Sequence, residues 1–328
     1  MTFQNLSMKN IQLKDYLLKI KLAERSLADL TTEEKATYLR DIYFSHVKTF
    51  PYSNFDLRHI ARQHPIKRTS LSFFSYKTLL SSEHDSYCFQ LTALLGDALI
   101  QSGYDTSFCE ARVLMGASIN APEILAIPPT HLILVVTLDD KKFLLDPGMG
   151  SSAPRYPIPI TDKNDVIIQN NDEFKFYPTD NLYVLERKTT QGWLRLMQTD
   201  LVPLSESKAQ MNLLKLGFHP TPISIRDYKT VVGIITDHGR KSLIWDEQSN
   251  QLKFSKQEGK THQQRVVSSF EEGNQILAEE FNIHHISAQK LEEYCSKTTC
   301  PLPIKPWTID FPIDDNELTE MEQNLRIN

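Results

Sequence analysis

"THLILVVTLDDKKFLLDPGMG" (Thr130–Gly150) decides how this chain is read. Two apolar runs flank Asp139-Asp140, the pattern of two strands joined by a tight turn. If those two aspartates form a two-residue turn, Leu138 faces Lys141 and Asp146 faces Ile133. His131 then lies two residues from Ile133, on the same face as Asp146 and on the diagonal. That separation is about 7–8 Å, which an imidazole and a carboxylate together bridge. A three-residue turn would put the two side chains on opposite faces, so the pairing depends on register.

Upstream, "SYCFQLTALLGDALI" (Ser86–Ile100) places Leu91, Leu94, Leu95, Ala98 and Leu99 on one face of a helix. Asp85 or Ser86 is positioned to cap it, which puts Cys88 in the first turn. Unpaired N–H groups at a helix start favour a thiolate. By itself Cys88 reads first as a small buried residue, while His131 reads equally as a strand-end histidine and Asp146 as a turn residue before Pro-Gly. Together they have the composition of a thiolate nucleophile, a base and an orienting acid.

Residues 11 to about 100 otherwise read as helix, with "LTTEEKATYLRDIYFSHVKTF" opening on a start signal, a break at "FPYSNFDL" and a further helical candidate at "LSFFSYKTLLSS". After "QSGYD" the pattern turns to strands: "TSFCEARVLMG", "HLILVVTL", "KFLLD", "FKFYP", "LYVLERK" and "GWLRLMQTD". Short successive strands predict a barrel or sandwich. From about 203 the chain returns to mixed structure, with helices at "SESKAQMNLLKLG" and "SSFEEGNQILAEEFNI" around strands near "YKTVVGIITDHGRKSLIWD" and "QLKFSK". A Pro-rich, then acidic, tail follows.

Composition bounds the function. The chain has 328 residues, 40% apolar and 23% charged, with a net charge of −5. This is an ordinary globular balance with no basic surface for nucleic acid. The start lacks the features of a signal peptide, and no apolar run is long enough to span a bilayer, so the expected setting is soluble and cytoplasmic. Only 11 glycines and no glycine-rich phosphate loop are present. Four cysteines (Cys88, Cys109, Cys295, Cys300) form no disulfide framework. "CSKTTC" (295–300) near His284 and His285 fits no common zinc spacing, so no metal is expected. "RQHPIKR" (62–68) reads as a small basic surface loop.

These pieces, in this order, resemble the arylamine N-acetyltransferases. "PYSNFDL" (51–57) is similar to that family's PFENL stretch, and "SYCFQLTALLGDALIQSGYDTSFCEARVLMG" to its nucleophile helix and following strand. The Thr130–Gly150 hairpin resembles its THxxLxV…DGxxxLxDVGFG hairpin, and "HPTPIS" (219–224) its third-domain opening. The resemblance runs over roughly 10 to 285.

The family's Arg-Gly-Gly and Glu around the nucleophile are here His84, Asp85, Ser86 and Gln90, and the Glu of PFENL is Ser53. Both ends of the family's Arg–Glu pair are thus absent together, which strands no charge.

The resemblance implies an α+β fold with a cysteine-proteinase-like core. Its parts are a helical bundle (1–100), a β-barrel (101–205), an α/β lid (206–295) and an irregular tail (296–328). It implies acetyl transfer from acetyl-CoA, through a Cys88 thioester held by His131 and Asp146, to an arylamine, hydrazine or other primary amine. Thr130 and Thr221 are the expected CoA contacts, and Tyr52 the aromatic of the acceptor pocket. The same triad would also serve a cysteine hydrolase or transglutaminase-like enzyme. A binding protein that keeps the fold is the non-catalytic alternative.

Overall fold

The computed structural model describes residues 11–62, 80, 86–126, 128–218 and 223–297. Among the described residues four α-helices come first: Leu13–Lys19 (α1), Thr32–Thr49 (α2), Phe55–Arg62 (α3) and Cys88–Gln101 (α4). α2 begins at a capping box. Thr31 accepts from the Glu34 backbone, and the Glu34 carboxylate accepts from the Thr31 N–H. Two orphan donors are satisfied at once, as the Thr-Thr-Glu-Glu signal predicts. Its inward stripe is Tyr38, Leu39, Ile42, Tyr43, His46 and Val47, the spacing of one helical face.

α4 differs from its expected one-sided pattern. Every residue from Cys88 to Leu99 is buried, so this is a central helix rather than a surface one. Its polar side chains are accordingly partnered. Thr92 donates to the Leu132 carbonyl, and Asp97 accepts from Ile11 N–H and from Gln101. The expected cap is also corrected. The helix starts at Cys88 with Tyr87, not Asp85 or Ser86, at the N-cap position, and the Tyr87 side chain makes no cap hydrogen bond. Ser86 is instead used by its backbone, in a parallel bridge to Tyr52 whose Ser53 N–H donates to the Ser86 carbonyl. Asp85 lies outside the described residues, as do most of "LSFFSYKTLLSS" and residues 298–328.

Eight antiparallel strands follow one another in the sheet order β5-β4-β3-β2-β9-β8-β7-β6. They are Asp105–Val113 (β2), His131–Leu138 (β3), Lys141–Leu145 (β4), Ile158–Pro159 (β5), Ile167–Gln169 (β6), Asp172–Thr179 (β7), Leu182–Thr189 (β8) and Gly192–Thr199 (β9). The two ends of this sheet are tied through Gln169. Its amide oxygen accepts from the backbone of Arg155 and Tyr156, and its amide nitrogen donates to the Tyr156 carbonyl. The result is a nearly closed barrel.

β3 explains the unbroken run "LILVV". Ile133 and Val135 point into the barrel with Phe174, Phe176 and Leu185, whereas Leu132, Leu134 and Val136 pack outward against α4. Both faces are buried, so no polar alternation survives. The β3–β4 register is the one a two-residue turn requires, with Leu138 opposite Lys141 and Leu134 opposite Leu145.

The C-terminal part is a five-stranded antiparallel sheet in the order β1-β10-β11-β12-β13. Its strands are Tyr52–Ser53 (β1), Lys229–Ile235 (β10), Gly239–Asp246 (β11), Gln251–Glu258 (β12) and Thr261–Val266 (β13). Helices Phe270–Phe281 (α6) and Ala288–Tyr294 (α7) cover it, after Glu206–Phe218 (α5) links it to the barrel. β1 pairs Tyr52 with Gly233 and Ser53 with Val232. The "PYSNFDL" stretch thus sews the helical part to the last sheet. Arg58 of α3 reinforces this, donating to the backbone carbonyls of Arg226, Tyr294 and Ser296. Arg62, the first residue of the basic stretch 62–68, also donates to the Tyr294 and Ser296 carbonyls, and 63–68 lie outside the described residues. The fold is α+β, with helices, barrel and α/β sheet in chain order.

Candidate active site

Cys88, the first residue of α4, is only 1% exposed. It lies where α4 meets the hairpin. Thr92, one turn on, donates to the Leu132 carbonyl at 2.9 Å and fixes the helix start against β3. His131 opens that strand. Its Nε2–H donates to both carboxylate oxygens of Asp146, each at 2.9 Å, and both side chains are buried. The diagonal predicted from the two-residue turn is the one observed. With Nε2 committed to Asp146, Nδ1 is left for the thiol side.

Burial pulls the imidazole's pKa down. The Asp146 charge and hydrogen bond, followed by those of Cys88, outweigh it and leave His131 raised to about 10. The ring lies between a carboxylate and the cysteine, both of which favour its protonated form.

Asp146 is held in turn. Its Oδ1 accepts from the Gly148 N–H at 3.1 Å. The Tyr43 hydroxyl of α2 donates to the carbonyls of Asp146 and Pro154. The following turn, Pro147–Ser152, wraps over the cysteine. A Cβ built on Gly148 would stand 2.6 Å from Cβ and 2.8 Å from Cα of Cys88, and 3.0 Å from Cε1 of His131. Only glycine allows this approach. Gly150, at φ +56°, sits against the Tyr52 ring.

The structure thus brings Cys88, His131, Asp146 and Tyr52 together. Tyr52 is 5% exposed, and burial, then the neighbouring Cys88, push its phenol well above the usual range. Thr130 is adjacent through its backbone: the Cys88 thiol points at its carbonyl, 3.9 Å away. Thr221 lies outside the described residues. Tyr43, Thr92 and Gly148 are structural participants that sequence reading did not single out. For Gly148 the second-last Gly of "DPGMG" was the available signal; Tyr43 and Thr92 carry none. Among the described residues no group of three or more His, Cys, Asp or Glu is placed to hold a metal, and no helix is long and apolar enough to cross a membrane.

Comparison with known proteins fits this arrangement. Residues 36–289 match the model of the N-acetyltransferase family. The chain belongs to the N-acetyltransferase family. It is 23% identical over 164 residues to the arylamine N-acetyltransferase / N-hydroxyarylamine O-acetyltransferase of Salmonella typhimurium, covering 50% of this chain and 54% of that enzyme. The chain thus spans about half the length of that relative. It is 23% identical over 263 residues to the pineal gland isozyme NAT-10 of Gallus gallus, covering 75% of this chain and 86% of that one. The Mycobacterium marinum arylamine N-acetyltransferase, solved in complex with CoA, superposes with a TM-score of 0.68 at 19% identity, over 88% of this chain and 99% of that one. The fold is therefore that of the N-acetyltransferase family, whose named relatives are acyltransferases.

Proposed function

We propose that this N-acetyltransferase family member moves an acetyl group from acetyl-CoA to an arylamine, hydrazine or other primary amine through a thioester on Cys88. The observation that carries the reading is His131, bonded to both oxygens of Asp146 and packed with Cys88 under the Gly148 turn. Names of relatives and the CoA held by the Mycobacterium marinum enzyme support the choice of donor.

In the first half-reaction His131 and Asp146 hold Cys88 as the thiolate. Its Sγ attacks the acetyl carbonyl, the bond to the CoA sulfur breaks, and the imidazolium gives its proton to the departing thiolate. In the second, the amine nitrogen attacks the thioester, the Cys88 sulfur leaves as thiolate, and neutral His131 takes the amine proton. Asp146 keeps the ring in one tautomer throughout. Tyr52 borders the acceptor side. Thr130 and Thr221 are the proposed CoA contacts, and the α/β part (206–295) serves as the lid that shields the thioester from water.

The test is intact mass after mixing with acetyl-CoA, beside Cys88→Ala. The wild type gains one acetyl group and the variant none. A wild type that stays unmodified while cleaving amides or thioesters through Cys88 would replace transfer by hydrolysis.

A further inference from the structure

At the end of the barrel nearest the C-terminal sheet, three arginines converge on one carboxylate. Asp172 opens β7 and shares the inward face with Phe174, two residues on. Arg240, at the start of β11, is ion-paired to it. Arg155, from the segment before β5, lies 3.5 Å from it. Arg187 stands opposite Phe174 across the β7–β8 ladder, so it projects to the same interior face. Arg155 and Arg240 are almost wholly buried, at 1% and 6% exposed. Arg187 is half-buried and keeps contact with solvent.

The charges do not balance. Guanidinium groups stay protonated in proteins, so three positive charges surround the buried Asp172, while Asp237, which also feels Arg155, is exposed and paired with Lys48. Burial, then repulsion from Arg240, draws Arg187 down to about 9, and Asp172 only partly offsets this.

Backbone carbonyls take up some donors. Arg155 donates to Thr236 and Gly239, and Arg240 to Ser151. Yet Nε of Arg155, Arg187 and Arg240 is buried with no acceptor. A buried donor left unpaired is costly, and a buried excess of charge more so.

We infer that the barrel end bounded by Arg155, Arg187, Arg240 and Asp172 is a binding site for a doubly charged oxyanion of the phosphate class. Two negative charges cancel the excess, and tetrahedral oxygens suit guanidinium forks. The site touches the catalytic turn through Arg240, which holds Ser151, three residues after the Gly148 that abuts Cys88. The same chemistry comes as free inorganic phosphate or as the phosphoryl group of a larger molecule such as CoA. The second source rests on the function proposed above.

The experiment is thermal unfolding of the full chain in inorganic phosphate against chloride at equal ionic strength, for wild type, Arg187→Met and Cys88→Ala. Wild type should melt higher as phosphate is added, and the rise should saturate. Arg187→Met should still unfold cooperatively but lose the rise. Cys88→Ala should keep it whatever happens to acetylation, so this site and the acetyl-transfer reading succeed or fail separately. CoA that competes with phosphate identifies the donor's phosphoryl group as the occupant, and absence of competition identifies the free anion. No phosphate-dependent rise in the wild type, or an equal rise in Arg187→Met, overturns the site.

Discussion

Gly148 lies so close to Cys88 that an added Cβ would fall 2.6 Å from the cysteine's own Cβ. The turn after β4 and the first residue of α4 are thus in direct contact, and the same glycine donates its N–H to Asp146. Cys88 and Asp146 are held by one stretch of backbone.

Gly148→Ala should therefore act on chemistry more than on folding. The clash includes the Cys88 Cα, so backbone must move. Overpacking of this kind costs about 1–3 kcal/mol, and displacing a nucleophile by about 1 Å costs on the order of 100-fold in rate. Acetyl-enzyme formation followed by mass, beside urea unfolding, reads both. A variant acetylated at the wild-type rate would show that the turn does not position Cys88.

Asp146→Asn keeps the shape but removes the charge that raises His131. Transfer should fall by roughly 10²–10⁴-fold. Stability should change with pH in a defined direction. His131 is raised from its ordinary 6.5 to about 10 in the folded protein, so its contribution is fully present below the unfolded value. It is lost as pH climbs through about 10. Urea midpoints between pH 6 and 10 should carry this decline in wild type and lack it in Asp146→Asn. Parallel curves for the two proteins would refute the assignment.

Tyr43→Phe removes the hydroxyl that bridges the carbonyls of Asp146 and Pro154. A buried acceptor left without its donor costs about 1–3 kcal/mol. The expected loss should appear in equilibrium unfolding with little change in the slope against denaturant.

Cys109 and Cys295 are free and buried, and each is pushed up to about 12, chiefly by burial. Iodoacetamide at neutral pH should spare both in the folded chain. Peptide mapping after brief labelling checks this, and prior acetyl-CoA should protect Cys88. Rapid labelling of Cys109 or Cys295 would contradict the burial that sets their reactivity.

Arg58 holds three backbone carbonyls from two distant segments while fully buried. Arg58→Met should cost about 3–5 kcal/mol, since the carbonyls are left without donors. Amide exchange in 288–297 should rise more than in the barrel strands. Uniform exchange across the chain would mean that this arginine does not anchor the C-terminal segment.

The sequence by itself determined what is local. The β3–β4 hairpin follows from strand periodicity and two aspartates, while the choice between a two- and a three-residue turn, and hence the His131–Asp146 diagonal, rests on the observed register. The capping box of α2 and the order of helices, barrel strands and mixed C-terminal part also follow from local sequence. Tertiary structure decided the rest, because it depends on contacts between residues far apart in the chain. Tyr87 rather than Ser86 takes the N-cap position, and the Ser86 backbone bridges to Tyr52, since "PYSNFDL" joins the last sheet. α4 is buried all round because barrel and helices close on it from every side. Arg155, Arg187 and Arg240 come from three separate segments, each an ordinary charged residue in its own stretch. Closure of the barrel against β11 gathers them about Asp172, and only there does their charge go unmatched.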